Sequence, residues 1–187
     1  MSAFAVDWLN LLVRWAHLIV GIGWIGTSFY FIALDLSLRK RAQMNPGVYG
    51  TAWEVHGGGF YHVEKYLVAP ATLPPDLVWY KWEAYLTWVT GFLLLILQYY
   101  WNASTFLISR DVMPLLPSQA IVISILSLAG GWLVYDRLCK SWIGRNTTLL
   151  AIALFILIVG AAWGFTPVFS GRGAFIHIGA FVGTIMA

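Results

Sequence analysis

Residues 7–34 form a long apolar run in which Arg14 is the only charged side chain between Asp7 and Leu34. A stretch of that length and hydrophobicity has one comfortable environment, the hydrocarbon of a bilayer. There the backbone must satisfy its own hydrogen bonds, so the run is expected to be a membrane-spanning helix. Ionisable groups are expensive in hydrocarbon, and they mark candidate functional sites. Arg14 and His17 are spaced i, i+3, which puts both on one helix face, and Gly21 and Trp24 continue that face.

Composition supports the same class. Hydrophobic residues make up 60% of the 187 positions and charged residues 10%, whereas a soluble domain carries about 25% charged residues. The net charge of +3 is not gathered into a basic cluster suited to nucleic acid, so no nucleic-acid partner is expected. Cys139 is the single cysteine, which excludes an internal disulfide, a CxxC metal site and a CxxCH haem attachment within the chain. The N-terminus lacks the basic region and cleavage site of a signal peptide, so the first helix is expected to act as an uncleaved anchor.

The fold class read from this pattern is an all-α integral membrane helical bundle of about five spans. They cover residues 7–34, 80–101, 118–138, 147–166 and 173–187. The fifth is still apolar at Ala187, so the chain is expected to be the N-terminal part of a longer protein. Arg39, Lys40, Arg41, Lys65, Lys81, Arg137, Lys140 and Arg145 fall on one side of these spans, and Arg110 and Arg172 on the other. The asymmetry places the 35–79 loop in the cytoplasm and the N-terminus outside. Tryptophans at the span ends, such as Trp8, Trp79, Trp82, Trp101, Trp142 and Trp163, form the expected interfacial belts. Gly21, Gly23, Gly26, Gly130, Gly131 and the Gly179/Gly183 pair are placed for close helix packing.

The 35–79 loop is too long to be a mere connector. Two alternating runs flank Gly57-Gly58-Gly59 and suggest a cytoplasmic β-hairpin. With His56 opposite Phe60 and Glu54 opposite His62, one face would carry Glu54, His56, His62 and Glu64. Such a face suits a divalent metal, acid–base work on a small substrate, or simple contact with water and headgroups. We assign it acid–base work and no metal. Histidines on two spans, His17 and His177, suit the axial positions of a b-type haem, or each serves only a packing hydrogen bond. Glu83, Lys81 and Trp82 open the second span, where a flat aromatic substrate could stack while its polar edge is fixed.

Four segments carry a resemblance. They are Arg14-Trp15-Ala16-His17-Leu18 with Gly21-Ile22-Gly23-Trp24-Ile25-Gly26, Glu54-Val55-His56-Gly57-Gly58-Gly59-Phe60-Tyr61 through Glu64-Lys65-Tyr66, Trp79-Tyr80-Lys81-Trp82-Glu83-Ala84-Tyr85, and Gly171-Arg172-Gly173-Ala174-Phe175-Ile176-His177-Ile178-Gly179. Together they resemble the N-terminal membrane domain of the bacterial membrane-bound urate oxidases (urate hydroxylases) fused to a cytochrome c. The likeness covers essentially the whole chain, and the hairpin segment is its most specific part.

The resemblance implies a multi-pass enzyme of purine catabolism in the bacterial inner membrane, with a periplasmic N-terminus. It would oxidise urate to 5-hydroxyisourate and pass electrons to a respiratory-chain acceptor through haem c on a C-terminal domain absent from this sequence. Without that domain the chain alone is expected to be inactive. Family membership fixes no catalytic positions, so roles rest on the residues. The candidate catalytic residues are Glu64, His62, Glu83, Glu54 and His56. Arg14, Tyr61, Lys81 and Trp82 are candidates for substrate binding, and His17 and His177 for a haem b. Two other classes stay open: a membrane transporter for a purine or other anion, and a b-type haem electron carrier.

Overall fold

The computed structural model describes residues 3–187. The chain divides into two compact units, one of Met1–Gly21 with Glu83–Ala187 and the other of Ile22–Trp82. Helix α1 (Ala3–Ser37) contributes to both. Its 35 residues correspond to a length of about 50 Å.

Three helices among the described residues are long and apolar enough to cross a membrane: Phe4–Ser37 within α1, α4 (Pro117–Lys140) and α5 (Thr147–Phe165). Only 6%, 22% and 6% of their most apolar windows are buried inside the protein. Apolar helix surface left outward on this scale suits lipid rather than water. The other two expected spans take different forms. The second is a 13-residue α2 (Trp82–Leu94) continued by a six-residue π-helix, Leu95–Tyr100. The fifth is the 16-residue α6 (Gly171–Met186). Of the about five spans expected, three are therefore helices long and apolar enough to cross, and the other two fall short of that length. Periodicity does not foresee a π segment, because its i→i+5 bonds insert one residue per turn without altering the apolar character.

Helix ends are set by short polar residues. Asn146 caps α5, its Oδ1 accepting from Thr148 N and Leu149 N at 3.0 and 3.1 Å. Ser170 caps α6, its Oγ accepting from Gly173 N at 3.0 Å while donating to the Phe106 carbonyl at 2.7 Å. Ser170 N also donates to Leu107 O. These bonds tie α6 to the short helix α3 (Ala103–Phe106) and the turn after it.

The core of this unit is built from Leu95 and Tyr99 of the π-helix, Leu107, Ala120 and Leu128, Phe165, Phe169 and Phe181. Gly131 packs directly on the Phe181 ring, which a Cβ would overlap. Gly130, Gly179 and Gly183 have open space where a Cβ would stand. The close helix approach thus lies at Gly131, whereas a Cβ at Gly179 or Gly183 would meet no described atom within 4 Å.

In the other unit, β1 (Val48–His56) and β2 (Gly59–Tyr66) form the expected antiparallel hairpin. Gly57 and Gly58 take φ of 57° and 80°, the left-handed pair that a two-residue turn requires. Arg39 and Thr51 exchange backbone bonds of 2.9 and 3.0 Å, which joins β1 to the end of α1. Lys65 adds an ion pair to Asp35 at 2.6 Å.

Candidate functional site

The hairpin register overturns the expected four-residue face. Glu54 pairs with Tyr61, Trp53 with His62, Thr51 with Glu64 and His56 with Gly59. Side chains alternate along a strand, so Glu54 and His56 lie on one face while His62 and Glu64 lie on the other. The turn uses two glycines rather than three, and that one-residue difference changes every partner. No group of three or more histidine, cysteine or carboxylate side chains fit to hold a metal occurs among the described residues.

The hairpin groups are also engaged structurally. Glu54 accepts from the Tyr30 hydroxyl at 2.7 Å, and His62 lies against Trp53 with ring centroids 4.6 Å apart. Both oxygens of Glu64 accept from Asn45 Nδ2, at 3.1 and 3.0 Å, and one also from Tyr66. Desolvation, with the Glu64 carboxylate beside it, raises the Tyr66 hydroxyl above the usual phenol range, so it stays a donor to Glu64. His56 and Tyr61 are exposed near the turn. Lys81 Nζ sits over the rings of Trp79 and Trp82, at 5.8 and 5.7 Å, an interfacial anchor in form.

The other unit gathers a different set. Arg14 makes a long 3.5 Å contact from its guanidinium to Gln98 Oε1. One turn on, His17 Nδ1 lies 3.1 Å from the Thr87 carbonyl and 3.0 Å from the Thr90 hydroxyl. A Cβ on Gly91 would stand 3.0 Å from the His17 ring, so a glycine there lets the imidazole lie against α2. Glu83 opens α2, and its Oε2 is buried without a hydrogen-bond partner.

A second polar group lies in the helical core. His177 is fully buried, its Nε2 2.5 Å from Ser124 Oγ and its Nδ1 2.7 Å from the Gly173 carbonyl. Ser124 Oγ is also 2.7 Å from the Tyr100 hydroxyl. Phe169 stacks on the imidazole at 4.4 Å. This joins the π-helix, α4 and α6 through one connected set of hydrogen bonds, all of whose polar atoms find partners.

Haem requires a free imidazole nitrogen. His17 fits: a Nδ1–H donated to Thr87 O would fix the tautomer and leave Nε2 as ligand. His177 does not fit in this arrangement, because both of its nitrogens are taken. The expected pairing of the two histidines on one haem is therefore not available here.

Gln98, Thr87, Thr90, Ser124 and Tyr100 escaped the sequence reading. Gln98 had a legible signal, a lone carboxamide at the end of an apolar run. The hydroxyls had none, since serine and threonine routinely bond their own helix. A cavity of about 740 Å³ also lies between α2, α4 and α6, lined by Tyr85, Trp88, Phe92, Leu128, Trp132 and Thr184 among others. Trp88 Nε1 donates to Thr184 Oγ1 at 3.1 Å, and the walls are otherwise almost wholly apolar. They suit hydrocarbon or a flat apolar ring rather than a ligand with a polar rim.

Three helices long and apolar enough to cross a membrane, with polar side chains buried between helices, are consistent with a helical membrane protein. The chain matches the family described as urate oxidase N-terminal over residues 3–187. It belongs to that family. No curated protein and no solved structure matches it.

Proposed function

We propose that the protein is the membrane domain of an enzyme that oxidises urate to 5-hydroxyisourate, and that the electrons leave through a cytochrome c toward the respiratory chain. The observation that carries this reading is the family match across residues 3–187. The urate monoanion and one water would give 5-hydroxyisourate, one proton and two electrons. In this proposal the chain crosses the bacterial inner membrane about five times with its N-terminus in the periplasm. The π-bearing second helix and α6 then serve as the two shorter spans.

Roles follow from the groups that are free to act. Urate is a planar anion with N–H and C=O groups around its rim. Arg14 offers a charged donor and Gln98 a carboxamide that can match a lactam edge. Glu83 is the better proton acceptor, because its Oε2 has no hydrogen bond, whereas both oxygens of Glu64 already have donors. It lies about 20 Å along the helix from Gln98, so it would take up the proton at the far end of the helix rather than against the urate ring. His62, Glu54 and Glu64 hold the hairpin together in this reading. His17 is the residue suited to hold a haem b, which would supply one-electron transfer when bound. His177 instead positions α6 against α4.

The test is urate consumption by membranes containing the full-length protein, with hydrogen peroxide followed in parallel. Urate loss without peroxide is expected. Urate uptake into proteoliposomes without oxidation would replace the proposal with a transporter.

A further inference from the structure

We infer that the hairpin is a membrane-dipping element whose Trp53, Val55 and Phe60 face lies in the interface of an anionic phospholipid bilayer. The inference rests on the reading that α1 spans that bilayer.

The register puts Trp53, Val55, Phe60 and His62 on one face, with Val55 directly opposite Phe60 and Trp53 opposite His62, while Thr51 and Glu64 share that face only at the base of the hairpin, away from its tip. Trp53, Val55 and Phe60 are 60%, 65% and 76% exposed, an unusual load of apolar surface for a two-stranded hairpin. The opposite face carries Glu54, which is bonded to Tyr30 of α1. The apolar face therefore looks away from the helix.

The contacts also fix the direction in which the hairpin runs. At its base Thr51 pairs with Arg39, and Lys65 pairs with Asp35 in the last turns of α1. Nearer its tip Glu54 meets Tyr30, five residues back from Asp35, or about 7 Å along the helix. The hairpin thus folds back beside α1, tip toward the membrane. Tyr30 packs edge-on with Phe31, and Phe31 with Tyr80, at 5.3 and 5.0 Å. Aromatic side chains of this kind collect at the headgroup level. The tip stands at that level, where its backbone can still reach water and headgroups while its side chains enter the acyl boundary.

Charge selects the lipid. Arg39, Lys40 and Arg41 follow directly on the C-terminal end of α1, and Lys40 and Arg41 are exposed. Basic side chains immediately beyond a spanning helix attract anionic headgroups.

The experiment uses full-length protein carrying Cys139→Ser, with an environment-sensitive fluorophore on a cysteine placed by Val55→Cys, Phe60→Cys, Lys40→Cys or Ile25→Cys. It is reconstituted in vesicles of phosphatidylcholine with phosphatidylglycerol. Labels at 55 and 60 are expected to be quenched by a shallow spin-labelled lipid and shielded several-fold from aqueous iodide relative to position 40. Iodide quenching equal to that at position 40 would overturn the inference, and so would shielding from both quenchers, which means protein covers the face. Position 25 reports separately on α1: loss of lipid quenching there would sink the membrane reading itself. Hydrogen exchange of the hairpin amides in unmodified protein gives a second readout, with slower exchange expected in anionic than in neutral vesicles and equal rates counting against the inference.

Discussion

The imidazole of His177 and the hydroxyl of Ser124 meet at 2.5 Å in the interior of the helical unit, and the direction of their hydrogen bond can be deduced. The Gly173 carbonyl can only accept, so His177 Nδ1 carries the proton. In the neutral ring Nε2 then accepts from Ser124, and Ser124 in turn accepts from Tyr100. One backbone carbonyl thus orders a chain of three side chains from three helical segments.

That order makes the loss at Ser124 larger than the loss at its neighbour. Ser124→Ala leaves a buried imidazole nitrogen without its donor and should cost about 1–3 kcal/mol of stability. Tyr100→Phe removes only the outer donor and should cost about 1 kcal/mol or less. Thermal unfolding in detergent reads both. Equal effects would show that the chain is not ordered from Gly173.

The two candidate bases are separated by their existing partners. Glu83→Gln should lower kcat for urate about 100-fold with little change in KM, the loss expected on removing a general base. Glu64→Gln should leave kcat within about twofold, because it only replaces one acceptor of Asn45 and Tyr66. The reverse pattern would move the base to the hairpin.

Arg14 is predicted to act through binding. Arg14→Gln should raise KM for urate about 10- to 100-fold, the worth of a charge-assisted hydrogen bond. Arg14→Lys, which keeps charge but not the planar fork, should fall between that variant and the native protein. A change in kcat alone would argue against an anion-binding role.

The histidines differ in what they can offer iron. Purified protein should show the reduced-minus-oxidised bands of a b-type haem, and His17→Ala should abolish them. Asn at position 177 (His177→Asn) should reduce stability while leaving the bands in place. Loss of the bands only in the position-177 variant would show that its hydrogen bonds rearrange to admit a haem.

Packing gives an independent check. Gly131→Ala drives a methyl into the Phe181 ring and should destabilise by about 1–3 kcal/mol. Gly179→Ala meets open space and should be neutral or stabilise by about 0.5–1 kcal/mol, since alanine is the better helix former. Unfolding midpoints of the two variants decide it.

Hydrophobic run lengths, the two-residue side-chain alternation and the glycine turn by themselves determined that this chain is helical, membrane-compatible and interrupted by a hairpin. Those signals are local, carried by the spacing of neighbouring residues along the chain. The sequence also picked out Arg14, His17 and His177, because a polar group in hydrocarbon is conspicuous wherever it lands. Tertiary structure decided which of those groups are free to react. A one-residue register difference split Glu54 and His56 from His62 and Glu64, and the alternation pattern fits either pairing until the turn is built. Both nitrogens of His177 were claimed by Ser124 and Gly173, a partner 53 residues away and another one turn back. The open space at Gly179 and the close contact at Gly131 are likewise facts of helix placement, since a small residue permits close approach but does not compel it.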